Sequence, residues 1–360
     1  MTGAGAAPSR LLVANLEAEI DMARELTPGP HPRLSAAAAR VVGSAASHMA
    51  LLARPGDRLW LPAPVAPEEA CAAARDRGLV IETGPLDEVG PAAAICAWAE
   101  TGAVARLRLG RSPAAAAPSV DALAAGVGWR DALWHLQADP QVVARANHRG
   151  FALAIAAGRG WALPGATMVR DLDQLVAHLG ADGAGAGHER AWVVKAPLSA
   201  AGRERMRHRG DELGRGDRVR IDRLFGRFGE LLFEPWVDRI DDLACAGLVH
   251  PGGVHLFAPH RLDNDPRGVF RAAIIDDAGG GPLADHREEL ERSAAAAGDA
   301  LAAAGYLGAF SVDAYTWRAR GGAVHLQRMS EINARLSFGL LARVAAEDAG
   351  APGGPFELRP

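Results

Sequence analysis

In the first third of the chain, apolar runs alternate with Ala-rich stretches. This alternation restricts the possible folds of the chain more than any other feature. Two amphipathic stretches, at residues 34–53 and 67–77, have the spacing of helices. Strands that alternate with helices favour a parallel sheet covered by helices. The predicted strands cover residues 10–15, 57–61, 79–82 and 94–98. We therefore expect the chain to begin with a parallel α/β layer.

Beyond this layer the chain changes to helices followed by strands. The Pro- and Ala-rich residues 112–119 indicate a domain boundary. Helices are predicted at residues 120–137, 141–158, 171–179, 287–304 and 339–347. Strands are predicted at residues 191–195 and 230–233, on both sides of residues 251–253, and in GAFSVDAYTW and AVHLQRMSEI. The Gly-rich residues 181–187 precede a strand instead of following one, so we interpret them as a hinge or hairpin loop.

Composition and charge exclude several classes of protein. With 360 residues, 49% of them hydrophobic, the chain is long enough for more than one domain. A net charge of −4 argues against nucleic acid as a partner. The longest apolar runs are broken by Arg, Gly and Pro, so neither a membrane span nor a signal peptide is expected. Three scattered cysteines fit a reducing compartment, and we expect a cytoplasmic protein.

One lysine, Lys195, stands among 39 basic residues, and all the others are arginine. Arginine can replace lysine except where a compact point charge must fit close to an anion such as phosphate. Lys195 ends the predicted strand AWVVK and precedes a loop of small residues that contains Ser199 and Gly202. An ammonium and backbone N–H groups in this arrangement can bind a polyphosphate. The alternative is an ordinary exit from a strand into a loop.

The segment EPWV follows another predicted strand and precedes two carboxylates, Asp241 and Asp242. Backbone groups beside Trp236 can frame an adenine. A carboxylate a few residues further on can accept hydrogen bonds from ribose hydroxyls, as acidic residues do in dinucleotide-binding folds. The alternative is a strand end with solvated carboxylates.

Oxygen-bearing side chains converge on the last two predicted strands. Asp313 lies near the end of one strand, and Glu331 and Asn333 project from one face of the next. Carboxylate and amide oxygens that also meet nucleotide phosphates are the ligands Mg²⁺ prefers. Arg335 has the same parity as Glu331 and is expected at the same site. The alternative is a buried ion pair.

The order K…EPWV…D…SVD…EINAR resembles the ATP-grasp superfamily over about residues 146–346. The resemblance implies an α/β fold with a Rossmann-like pre-ATP-grasp domain at residues 1–118 and connecting helices at residues 119–190. A lid subdomain at residues 191–233 and a catalytic subdomain at residues 234–360 would follow.

The resemblance also implies a role for each site residue. Lys195 is similar to the lysine of the mobile lid that binds phosphate, Arg335 to the arginine that supports the transition state, and Arg149 stands where a second phosphate-binding lysine is usual. The adenine hinge is implied at Glu234 and Val237, and the ribose carboxylate at Asp241 or Asp242. The implied metal ligands are Asp313, Glu331 and Asn333.

The function implied is an ADP-forming ligase that uses ATP and Mg²⁺ to join a small-molecule carboxylate to an amine through an acyl phosphate. Two alternatives stay open: a nucleotide-binding protein without ligase activity, and a small-molecule phosphotransferase. A homodimer is the default expectation. The sequence does not identify the two substrates.

Five further residues have weaker assignments. His260 and Arg271 are candidates to line the substrate pocket, because they flank a predicted connection near the site. His250, His255 and His260 lack the closely spaced ligand pairs of a structural zinc site, and on regular strands His255 would face away from the other two, so we expect structural roles. Cys245 lies in an apolar run and is expected in the core.

Overall fold

The computed structural model describes residues 9–26, 35–62, 68–109, 128–180, 191–199, 204–265, 269–277, 280–350 and 355–359. The predicted boundary at residues 112–119, the loop at residues 181–187, Gly202 and most of the first half of the predicted helix 120–137 lie outside these residues.

The N-terminal layer is a four-stranded parallel sheet in the order β3-β2-β1-β4. Its strands are β1 (Leu11–Val13), β2 (Arg58–Trp60), β3 (Val80–Glu82) and β4 (Ile95–Ala97). The accompanying helices are α1 (Ala18–Leu26), α2 (Ala36–Ala46), α3 (Glu68–Asp76) and α4 (Gly102–Arg108), with 3₁₀ turns at Ser47–Leu52 and Leu86–Glu88. The predicted parallel α/β layer is thus confirmed.

The connection to the next layer differs from its prediction. One helix was predicted over residues 141–158, and the structure has α6 (Pro140–Asn147) and α7 (Arg149–Gly158), preceded by a short α5 (Trp129–Ala132). The break occurs at His148, whose backbone is extended and whose ring accepts a hydrogen bond from Gly150 N at 3.1 Å. His148 therefore caps α7, and apolar periodicity alone does not reveal this cap.

A second, antiparallel sheet of four strands, which we call the lid sheet, has the order β5-β8-β6-β7. It consists of β5 (Thr167–Val169), β6 (Ala191–Lys195), β7 (Arg205–Arg209) and β8 (Leu231–Pro235), with α8 (Leu172–Gly180) and α9 (Arg215–Phe228). The Arg- and Gly-rich α9 was not predicted. It forms because Ile221, Leu224 and Phe228 make one buried stripe at helical spacing.

The third sheet, which we call the catalytic sheet, is antiparallel and runs β14-β13-β9-β11-β12-β15, with β10 added to β9. Its strands are β9 (Asp238–His250), β10 (Gly253–Leu256), β11 (His260–Asn264), β12 (Phe270–Ile275), β13 (Gly308–Arg318), β14 (Val324–Asn333) and β15 (Phe356–Leu358). Helices α10 (Pro282–Ala303) and α11 (Phe338–Asp348) complete it. Cys245 is buried in this part, as expected, and burial raises the pKa of its thiol to about 12.

The segment after β14 joins the catalytic sheet to the N-terminal layer. Leu336 N donates to Trp98 O at 2.9 Å, and Arg335 Nε donates to Glu19 Oε1 at 2.6 Å. Asn147 at the end of α6 bonds both backbone groups of Ala334. No helix in the described ranges combines the length and apolar character that a membrane span requires.

Gly339 near the start of α11 is required by the packing of His260. A Cβ built on Gly339 overlaps three atoms of the His260 ring. We expect Gly339→Ala to destabilise the protein by about 1–3 kcal/mol, because neither the buried His260 ring nor the α11 backbone can move aside without loss of packing. Urea unfolding measures the change. Gly226→Ala in α9 is the matched control, since its Cβ meets nothing and alanine favours a helix. Equal effects of the two substitutions would contradict the packing argument.

His260 also predicts a pH dependence of stability. Burial lowers its pKa to about 4, Arg343 contributes in the same direction, and Asp277 opposes it. In the unfolded chain the pKa of a histidine is about 6.5. Between about pH 6.5 and pH 4 the unfolded chain therefore binds a proton at His260 and the folded chain does not. The free energy of unfolding consequently falls as the pH drops from about 6.5 to 4. Urea titrations at several pH values should show wild type losing up to about 3 kcal/mol more than His260→Asn over this range. Parallel losses would contradict the assignment.

Candidate functional site

Four residues form a row across one face of the catalytic sheet. Glu331 pairs with Asp313, Asp313 with Ala244, and Ala244 with His260, each on the neighbouring strand. Cross-strand partners share a face of a sheet. The structure therefore places Asp313 and Glu331 side by side, and Asn333, two residues beyond Glu331, on the same face.

The charges of these residues indicate a site suited to a cation. Burial and the neighbouring Glu331 carboxylate raise the pKa of Asp313 to about 7, while Arg335 and a hydrogen bond with Asn333 act in the opposite direction. Two adjacent carboxylates and an amide are hard oxygen donors, and a divalent cation would relieve their repulsion. In the described part of the chain no three His, Cys, Asp or Glu side chains form a metal-binding group. This set has two carboxylates, so its metal role stays a prediction.

Lys195 lies at the end of β6 in the lid sheet and makes an ion pair with Glu234 of β8. Only 14% of the Lys195 side chain and 9% of the Glu234 side chain are exposed. Burial lowers the pKa of Lys195, Glu234 raises it, and Arg239 and Arg149 lower it further. Glu234, assigned to the adenine hinge by resemblance, thus holds the lysine in place.

Arg149, the first residue of α7, connects the lid sheet to the catalytic sheet. It donates from Nη2 to both Glu331 oxygens, at 3.0 and 3.2 Å. It also donates to Ala196 O, to Ser199 Oγ at 3.0 Å and to Ser199 O at 3.1 Å. A planar guanidinium satisfies this many acceptors at once, and an ammonium does not. Arg149, which stands where the resemblance implies a lysine, therefore joins Glu331 to the loop that follows β6.

The two candidate ribose carboxylates point to opposite faces of the catalytic sheet. Asp242 on β9 pairs with Tyr315 on β13. Asp313 lies two residues before Tyr315 on β13, so Asp242 and Asp313 share a face of the sheet. Asp241 pairs with Thr316 instead, and its carboxylate accepts from the Thr316 hydroxyl at 3.0 Å. The geometry favours Asp242 over Asp241 as a nucleotide contact.

Additional arginines lie around this site and were not predicted. Arg239 stacks on Tyr315, with 3.8 Å between the guanidinium carbon and the ring centroid, and contacts Asp242 at 3.2 Å. Arg205 pairs in register with Lys195, and its pKa is lowered by burial and by neighbouring arginines. Only the strand register reveals that these cations surround Lys195. Lys195, Arg149 and Arg239 each have a carboxylate partner in the structure.

The adenine-hinge segment lies at the end of β8. Trp236 N donates to Ala191 O at 2.9 Å, and Arg207 covers the Trp236 ring at 3.5 Å. Val237 links β8 to β9 and is half-buried. Their contacts with adenine stay a prediction.

The remaining predicted residues lie at different distances from this row. Arg335 donates to Asn333 Oδ1 at 2.9 Å and to Glu19, so it lies beside the oxygen set. His260 is 2% exposed and covered by Gly339, so it reaches a substrate only if α11 moves. Arg271 is exposed on β12. Substrate contacts by His260 and Arg271 stay predictions.

Among the described residues, a small cavity lies beside α7, the lid sheet and the catalytic sheet. A cavity of about 10 Å³, lined by residues that include Arg149, Glu234 and Met329, has room for about one water molecule. A nucleotide requires several hundred Å³. This cavity is therefore too small for a nucleotide.

Comparison with known proteins finds similarity in structure alone. No family model and no curated protein matches the chain. An N5-carboxyaminoimidazole ribonucleotide synthetase from Thermus thermophilus is 16% identical, with 96% of this chain and 79% of that chain covered and a TM-score of 0.48. An N5-carboxyaminoimidazole synthetase from Staphylococcus aureus, complexed with ADP, is 11% identical over 92% and 72%, with a TM-score of 0.48. An L-amino acid ligase from Bacillus licheniformis is 12% identical over 94% and 69%, with a TM-score of 0.45.

Proposed function

We propose that the chain is an ATP-grasp ligase that forms ADP and joins a small-molecule carboxylate to an amine. One observation carries the proposal: Arg149 contacts both Glu331, the cross-strand neighbour of Asp313, and the loop that follows Lys195 in the lid sheet. Cations opposite paired carboxylates are what a nucleotide phosphate and its Mg²⁺ require. Cytoplasmic location and a homodimer stay predictions.

Residues of the two sheets bind different parts of the nucleotide. Lys195 and Arg149 bind phosphate oxygens after their ion pairs open, and Arg239 adds positive charge. Asp242 accepts from the ribose hydroxyls, and the backbone around Trp236 frames the adenine. Asp313, Glu331 and Asn333 would hold Mg²⁺, which would neutralise phosphate charge.

The chemistry follows from positioning and charge. A substrate carboxylate oxygen bonds to the γ-phosphorus of ATP as the bond to the β,γ-bridging oxygen breaks, which gives an acyl phosphate and ADP. The amine nitrogen then bonds to the acyl carbon, the carbon–oxygen bond to phosphate breaks, and the amine loses a proton to solvent. Lys195 and Arg335 stabilise the negative charge of the transferring phosphoryl group. Closure of the lid sheet keeps water from the acyl phosphate.

A second candidate function is nucleotide binding without ligation. It is favoured by the Arg149–Glu331 pair, because Arg149 already neutralises a carboxylate that Mg²⁺ would need. A phosphotransferase that acts on a small molecule is the third candidate.

Product analysis distinguishes the three. With panels of amino acids, dipeptides and simple amines, a ligase releases ADP and inorganic phosphate in equal amounts and only when carboxylate and amine are both present. A phosphotransferase releases ADP without phosphate. A binding protein retains MgATP without turnover. Failure to bind MgATP at all would contradict the proposal.

A further inference from the structure

Strand β7 forms one edge of the lid sheet. It pairs with β6 on one side, and no strand in the described part of the chain pairs with its other side. An open edge presents backbone N–H and C=O groups to which a further strand can bond. An extended segment that binds there would become an additional strand of the lid sheet.

The register shows which residues of β7 turn their backbone groups toward the open edge. Ala196 N donates to Glu204 O at 2.9 Å, so Glu204, just before β7, faces β6. Successive residues of an antiparallel ladder face alternate sides, so Arg207 and Arg209 face away from β6. The backbone groups of these two arginines have no hydrogen-bond partner among the described residues. They are therefore open to a further strand.

The side chains of the same two arginines share one face of the lid sheet. Arg205 is the cross-strand partner of Lys195, and Arg207 and Arg209 follow at intervals of two residues. Both Arg207 and Arg209 are exposed, and neither makes an ion pair with a described carboxylate. The Arg207 guanidinium carbon lies 3.5 Å from the Trp236 ring centroid. Two guanidinium groups on this face are thus available to carboxylates of a ligand.

The surroundings of this edge are basic, although the chain as a whole is acidic. Residues 204–229, which include β7 and α9, contain eight arginines and five carboxylates, whereas the net charge of the whole chain is −4. Arg220 of α9 reaches the edge itself, where it donates to Arg205 O at 3.1 Å. A second copy of β7 would place arginines opposite arginines, and like charges in that position are unfavourable. Charge complementarity therefore favours an acidic segment.

We propose that β7 binds an extended acidic segment of a partner protein, which has a carboxylate at every second residue and adds to the lid sheet as its outer strand. A residue opposite Arg207 or Arg209 bonds its backbone to the edge and points its side chain to the face of the two guanidinium groups. The same acidic residues therefore supply the backbone bonds and the ion pairs. This interaction stands on strand register and charge, and it does not depend on the proposed ligase activity.

Fluorescence anisotropy of a labelled peptide tests the proposal on the full chain without nucleotide. The probe is a capped hexapeptide of alternating Glu and Thr, joined to fluorescein through Gly-Gly. It should bind saturably, and more weakly as salt is added. The Gln–Thr analogue keeps the backbone and loses the charges, so it should bind about fivefold more weakly.

Backbone methylation separates strand addition from attraction between charges. N-methylation of each Glu removes the N–H groups that face β7 and should weaken binding by about tenfold or more. N-methylation of each Thr, whose N–H groups face away from β7, is the matched control and should retain most of the affinity. Hydrogen exchange of the Arg207 and Arg209 amides should slow when the unmethylated peptide binds.

Substitution of both arginines is the corresponding change in the protein. The double variant Arg207→Gln, Arg209→Gln should weaken binding of the Glu–Thr peptide by about fivefold. The double variant Arg215→Gln, Arg223→Gln removes the same charge from exposed positions of α9 and is the matched control. Its affinity should stay within about twofold of wild type.

Several results would overturn the proposal. Equal affinity of the two methylated peptides would show attraction between charges without strand addition. Wild-type affinity in Arg207→Gln, Arg209→Gln would place the peptide elsewhere, and so would the absence of saturable binding. Tighter binding of an oligothymidylate than of the Glu–Thr peptide would indicate a surface for nucleic acid. Protection of the Arg207 and Arg209 amides that rises with protein concentration alone would indicate a second copy of this chain.

Discussion

Lys195→Arg should lower the rate of ADP formation by about 100-fold or more and leave the free energy of unfolding nearly unchanged. The rate falls because the guanidinium is larger than an ammonium and cannot approach the phosphate as a compact point charge. Stability is retained because Glu234, its partner in the ion pair, keeps a cation beside it. Steady-state ADP release and urea unfolding measure the two quantities on one preparation.

Alanine at this position is a less informative variant. Removal of Lys195 leaves the Glu234 carboxylate buried without a cation, which costs about 3–5 kcal/mol. The double variant Lys195→Ala, Glu234→Gln removes both charges and should recover most of that stability while it remains inactive. Wild-type turnover in Lys195→Arg would contradict the account, because it would show that the site does not require a lysine at this position.

Arg149→Met should destabilise the protein by about 3–5 kcal/mol, because it breaks an ion pair whose arginine is 7% exposed. The carbonyl groups of Ala196 and Ser199 also lose their donor. Urea unfolding measures the loss, and nucleotide affinity should fall in parallel if Arg149 also binds phosphate.

Arg149→Lys is the matched comparison. It restores the residue that the ATP-grasp resemblance leads one to expect, but an ammonium cannot bridge Glu331 and the loop after β6 in the way Arg149 does. We expect a loss of about 1–2 kcal/mol in stability and retention of MgATP binding. Arg149→Met that is as stable as wild type would contradict the structural role of Arg149.

Much of the architecture follows from local sequence. The parallel layer, the lid strand that ends at Lys195, and the strands β13 and β14 were predicted because apolar runs and turn residues mark them directly. The shared face of Glu331 and Asn333 was also predicted, because parity along a strand determines which residues share a face. Helix α9 was not predicted, since three buried residues among many arginines give a weak pattern.

The contacts within the site depend on information that local pattern does not contain. Lys195 and Glu234 are 39 residues apart, and Arg149 and Glu331 are 182 apart. Their pairing is determined by strand register and by packing of α7 against β14, which tertiary structure alone specifies. The same holds for Glu19, which meets Arg335 from the other end of the chain.

The most direct test of the account is a crystal structure with Mg²⁺ and a non-hydrolysable ATP analogue. It should show the Lys195–Glu234 pair open, Lys195 Nζ within hydrogen-bonding distance of a phosphate oxygen, and Mg²⁺ between those phosphates and the Asp313 and Glu331 carboxylates. Nucleotide bound elsewhere, with the Lys195–Glu234 and Arg149–Glu331 pairs intact, would contradict it.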